Sequence, residues 1–100
     1  STTQAELRAP SERSVGIELR FDVSKRCWID DIVPGSPAES AGLKVGDLLL
    51  SAEGHVMTEL EPADWLALRQ LEAVDFLISR PIAGAATTIE VRVPVSVLVQ

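Results

Sequence analysis

The sequence predicts a single α+β domain, and three observations carry that expectation. Ile17, Leu19 and Phe21 alternate with Glu18, Arg20 and Asp22, as residues of a half-buried strand do. The apolar run Leu48-Leu49-Leu50 reads as a short buried strand. Two segments with helical spacing each open on a proline, Pro37 and Pro62, where the missing N–H is harmless. One hundred residues of 46% hydrophobic content suffice for one core and leave no room for a second domain.

The charge balance narrows the partners. Nine Lys and Arg against fifteen Asp and Glu give a net charge of −6, which repels nucleic-acid phosphates and anionic lipid surfaces. The longest apolar runs fall far short of the ~18 residues of a membrane span, so no membrane insertion is expected. Cys27 is the single cysteine and cannot form an internal disulfide, which leaves the redox compartment open. The start, Ser1 to Glu6, has neither the basic nor the apolar region of a signal peptide, and no initiator Met, which reads as a piece of a longer protein.

Taken in order, residues 1–13 are polar and without a period, a flexible lead-in or an edge strand; the domain proper is expected over 14–100. Residues 17–21 form the first clear strand, and Cys27-Trp28-Ile29 with Ile32-Val33 the next. Ser36 caps a short helix from Pro37 to Ala41, which Gly42 ends. Leu48-Leu49-Leu50 follows as a strand that Gly54 closes. Over 62–80, Trp65, Leu66, Leu68, Leu71, Val74, Leu77 and Ile78 keep a helical spacing up to Pro81, which predicts a long helix. Thr87 to Val93 reads as a strand, and Val95 to Val99, after Pro94, as a short edge strand.

Catalytic chemistry finds little material. His55 follows Gly54 in a loop-like stretch without a partner motif and reads as a surface histidine. Cys27 reads as a small buried apolar residue, and Asp30 and Asp31 point to opposite faces of a strand. No phosphate loop, zinc spacing or serine triad is present, so neither enzyme activity nor a cofactor or metal is expected.

The segment Val33-Pro34-Gly35-Ser36-Pro37-Ala38-Glu39-Ser40-Ala41-Gly42-Leu43-Lys44-Val45-Gly46-Asp47-Leu48-Leu49-Leu50 closely resembles the PGSPAxxAGLxxGDxIL stretch of the PDZ family, common in its bacterial members. Its residues answer turn and packing demands: Pro34 and Gly35 turn the chain, Ala38 and Ala41 let a helix lie close, and Asp47 can bond turn amides. The resemblance covers Ser14 to Val93. It implies a small antiparallel β-sandwich or partly open barrel capped by one short and one long helix. It also implies a module that takes an extended peptide by strand addition. The ends raise a choice between the ordinary arrangement and a circularly permuted one, in which a C-terminal strand completes the sheet. Val95 to Val99 is the better strand, which points to the permuted form.

By the same resemblance, Ser14-Val15-Gly16-Ile17 is similar to the family's carboxylate-binding loop, with Ser14 in place of its first glycine. The amides of Val15, Gly16 and Ile17 are then expected to receive a terminal carboxylate. Arg13, with Arg8 further off, either supplies a cation there or is a solvated charge. The strand Ile17-Glu18-Leu19 is expected to form one groove wall. Leu71, Val74, Leu77 and Ile78 are expected to form the other on the long helix, similar to the family's EEAVxxLK helix. That helix either starts near Asp64 and is unusually long, or follows a short extra helix and starts near Gln70. The implied partner is a peptide or protein C-terminus with an aliphatic last residue, bound by a monomer or weak dimer. The alternative is a regulatory or assembly domain of a larger protein, such as a bacterial periplasmic or membrane-attached protease, whose groove is filled from within or by a neighbour.

Overall fold

The computed structural model describes residues 13–97, with side chains from Ser14 to Ser96. The elements in chain order are β1 (Arg13–Ser14), β2 (Ile17–Phe21), β3 (Cys27–Ile32), α1 (Pro37–Ala41), β4 (Leu48–Ala52) and β5 (His55–Val56). They continue with a 3-10 turn (Met57–Glu59), α2 (Pro62–Leu68), β6 (Ala73–Ile82), β7 (Ala85–Pro94) and β8 (Ser96–Val97). A six-stranded antiparallel sheet runs β2-β3-β4-β6-β7, with β5 hairpinned onto β4, and it does not close into a barrel. The two short end strands pair with each other, Arg13 opposite Val97 and Ser14 opposite Ser96. Both ends of the described chain thus meet beside the expected carboxylate loop. Residues 1–12, including Arg8, and 98–100, among them the last two of the expected strand Val95 to Val99, lie outside the described residues.

The local signals act as their chemistry dictates. Ser36 accepts the Glu39 N–H at 3.3 Å to cap α1, and Gly42, at φ +94°, ends it while bonding back to Ala38 and Glu39. Asp47 is buried at 2% exposure and accepts the Lys44 N–H at 2.9 Å. Arg80 closes on its carboxylate from β6, and the hydrogen bonds to that anion hold the guanidinium more basic than usual. The core is built from alternate residues of the sheet, among them Ile29, Leu49, Val74, Phe76, Ile78 and Val93.

The long helix expected over 62–80 is two elements instead. The helix stops at Leu68, and Ala73 to Ile82 is a ten-residue strand paired along its length with β7. Val74, Phe76 and Ile78 are buried while Asp75 is exposed, a period of two that the spacing of Val74, Leu77 and Ile78 had disguised as helical. Pairing decides the matter. Leu49 lies opposite Ile78, and Asp75 and Glu53 exchange bonds of 2.7 and 2.9 Å, which hold β6 on β4. Pro81 ends no helix: it lies opposite Ala86, one step from the pair Ile82 and Ala85 that closes a two-residue turn. Alternation of the ladder leaves Pro81 a position at which no bond to β7 is lost.

Candidate functional site

β2 is an edge strand, and its ladder to β3 determines which of its backbone groups are spent. The Val33 N–H donates to the Gly16 carbonyl at 2.9 Å, and the Asp22 N–H to the Arg26 carbonyl at 3.0 Å. Ile17 pairs with Ile32, Leu19 with Ile29 and Phe21 with Cys27, after an irregularity between Glu18 and Leu19. Alternation in an antiparallel ladder then makes these three the non-bonded positions, so their N–H and C=O groups face outward. The far side of β3 agrees, since Ile29 spends its own N–H and C=O on Asp47 and Gly46 at 2.9 and 2.8 Å.

Beside this edge lies a cleft of about 260 Å³. Ile17 and Leu19 line one wall, and Trp65, Leu68 and Arg69 line the other. Val74 and Phe76 of β6 belong to its lining, with Ser14, Val15 and Val95. The wall facing β2 is supplied by α2, where Trp65 and Leu68 are three residues apart and share a face. The Glu61 N–H donates to Asp64 at 2.9 Å, which fixes the start of this helix.

The loop between β1 and β2 is held from two sides. The Val15 carbonyl accepts the Ala38 N–H of α1 at 2.9 Å, and the Gly16 carbonyl is taken by Val33. Gly16 sits at φ +91°, a conformation that side chains disfavour. Its N–H donates to the Ser14 hydroxyl at 3.0 Å. Of the three amides expected to receive a carboxylate, that of Gly16 therefore already has an internal acceptor.

The expected site residues separate accordingly. Ser14, Val15, Ile17, Leu19 and Val74 meet in the cleft, whereas Glu18 is exposed on the strand's other face, opposite Asp31. Arg13 enters β1 by its backbone, and its side chain is outside the described part. Leu71 lies in the exposed turn after α2 rather than on a groove helix. Ile78 is wholly buried in the core, and Leu77 lines a second depression with Ser51 and Val91. Neither lines the cleft: Leu77 points to the side of the strand opposite Val74, and Ile78, on the same side as Val74, is covered by the core. Trp65, Leu68, Arg69, Phe76 and Val95 take their places. The helical spacing from Pro62 carried the first two, and nothing local marked the others.

Cys27 is 1% exposed, and burial pushes its thiol up to about 11, away from the reactive thiolate. His55 is exposed on the short hairpin strand β5.

A sequence profile described as PDZ domain matches residues 28–92. A PDZ domain protein from Parabacteroides distasonis is similar in structure, with a TM-score of 0.68 at 23% identity, over 84% of this chain and 20% of that one. The photosystem II D1 C-terminal processing protease gives 0.71 at 25% identity, over 90% of this chain and 24% of that one. The HtrA3 PDZ domain bound to a phage-derived ligand, FGRWV, gives 0.67 at 16% identity, over 86% of both chains. The chain spans 20% and 24% of the length of the first two proteins.

Proposed function

The chain belongs to the PDZ family of peptide-binding modules, and from that premise we propose that it takes the free C-terminal end of a partner, with an aliphatic last residue, as a strand added to β2. The observation that carries this reading is the open edge itself: the N–H and C=O groups of Ile17, Leu19 and Phe21 face outward, and Ile17 and Leu19 line an adjoining, mostly apolar cleft. Ladder bonds along the edge supply affinity without regard to sequence. The cleft supplies selection, since Leu68, Val74 and Phe76 offer an entering side chain only apolar surface. The similar HtrA3 domain has a ligand that ends in valine, which fits a pocket of this kind.

Titration of the labelled 100-residue chain with a pentapeptide ending in valine tests the placement. Amide shifts are expected at 17–21 and 65–69, and shifts confined to β7 or the tip of its hairpin refute it. As a PDZ domain the chain is a binding module and not itself a catalyst. The similarity to a processing protease of which it spans a quarter supports a second, compatible role: a domain of a larger enzyme whose cleft is filled by another segment of that enzyme. Dimerisation of the isolated chain without peptide binding is the outcome that favours filling by a neighbour.

A further inference from the structure

The polar groups of the cleft are of one kind. Among its described lining residues Ser14, Trp65 and Arg69 carry polar side-chain groups, and all three offer hydrogen-bond donors; no carboxylate is among them, in a chain of net charge −6. The Ser14 hydroxyl already accepts the Gly16 N–H at 3.0 Å. That bond uses one of the oxygen's lone pairs, leaves its proton to donate, and makes that proton a stronger donor. Arg69 follows the last residue of α2 and brings a permanent positive charge to the cleft wall.

We infer that Ser14 and Arg69 together read the ligand's terminal carboxylate, with the Ser14 hydroxyl as a relay from the Gly16 N–H rather than a competitor for it. This rests on the strand-addition reading above. An anion in the cleft receives the Ser14 O–H and the Arg69 guanidinium, while the Gly16 N–H stays on Ser14 Oγ. The alternative, in which the carboxylate bonds the Gly16 N–H directly, requires the hydroxyl to be displaced. The two predict opposite results for one substitution: losing the hydroxyl weakens acid binding in the first case and strengthens it in the second.

The test is calorimetry of the full chain with three peptides of one sequence: a free acid ending in valine, its C-terminal amide, and an amide ending in aspartate. The wild type is expected to prefer the acid about tenfold or more, as charge-assisted bonds provide. Ser14→Ala and Arg69→Gln are each expected to shrink that ratio at least threefold while leaving the amide's affinity within about twofold; Ser14→Thr and Arg69→Lys are expected to keep most of it. A tighter acid complex for Ser14→Ala overturns the relay, and an unchanged ratio in both loss variants overturns the whole inference while strand addition stands. An aspartyl amide that binds as well as the acid reassigns the pair to acidic side chains. Equal binding of acid and amide by the wild type, or none, brings down the C-terminal reading itself. Thermal melts separate misfolding from loss of binding, and the conservative variants keep the question answerable if a loss variant does not fold.

Discussion

Arg80 grips Asp47 with two bonds, Nε to Oδ1 at 2.8 Å and Nη2 to Oδ2 at 2.7 Å, across 33 residues of chain. The same guanidinium nitrogen donates to the Gly42 carbonyl at 2.9 Å, so one side chain ties β6 to both ends of the turn between α1 and β4. Asp47 is buried, and its loss strands a cation and frees the Lys44 N–H. Asp47→Ala is expected to lower stability by about 3 kcal/mol, read from urea unfolding. A loss under about 1 kcal/mol would mean that water replaces the pair with little penalty.

Asp22 organises the β2–β3 turn. Its carboxylate accepts the indole N–H of Trp28 at 2.9 Å, the Arg26 Nε–H at 2.8 Å and the backbone N–H groups of Ser24 and Arg26. The Trp28 bond, followed by those from Arg26 and Ser24, holds the Asp22 carboxyl well below its ordinary 3.8. A carboxyl lowered by folding stabilises above its unfolded value and loses that contribution as pH falls toward the folded one. The stability gap between wild type and Asp22→Asn is therefore expected to be full near pH 7 and to narrow as pH falls below about 4. A gap constant from pH 7 to pH 2 contradicts this account.

The buried thiol of Cys27, raised to about 11, predicts slow chemistry. In native buffer at pH 8 a disulfide reagent is expected to label it only at the rate of opening, and the rate is expected to rise steeply with urea. Immediate stoichiometric labelling of folded protein would show that β3 is open to solvent.

The turn of the β6–β7 hairpin holds Ala83 at φ +52° and Gly84 at φ +81°, the pattern of a two-residue turn that favours Asn-Gly. Alanine is strained there. Ala83→Asn is expected to raise stability by about 0.5–1 kcal/mol, seen as a higher melting temperature, with peptide binding unchanged. No gain would indicate that packing around the tip, not backbone strain, governs it.

On the strand-addition reading, a ligand peptide N-methylated at one amide that faces β2 is expected to bind about tenfold more weakly, whereas methylation at the next amide, which faces away, changes little. Equal losses at both positions would point to a steric effect instead of a ladder.

Much of this architecture was legible because its signals are local. Ser36, Pro37 and Gly42 delimit α1 through caps and turn chemistry that need no distant partner, and the alternation from Ile17 to Phe21 shows β2 directly. Residues 73–82 were misread because Val74, Leu77 and Ile78 satisfy a helical period, while Val74, Phe76 and Ile78 satisfy a strand period. The choice lies with β4 and β7, whose pairing no short window contains. The cleft inherits that error. Phe76 and Arg69 reach it only because the chain leaves α2 at Leu68 and returns as a strand, and Val95 only because the segment after β7 passes Glu72, whose carbonyl accepts its N–H at 2.9 Å.

The edge of β2 offers its pairing groups at every second residue, and this imposes a reading frame. A chain laid along Ile17, Leu19 and Phe21 can shift only by two residues without losing its bonds, because a shift of one sets its own amides against the wrong partners and turns each side chain to the opposite face. An edge open at both ends would accept several such frames of one sequence. Here the buried loop at Val15 and Gly16 stands where the strand begins, so on the strand-addition reading the frame has an origin, and position along a ligand would be counted from it in pairs.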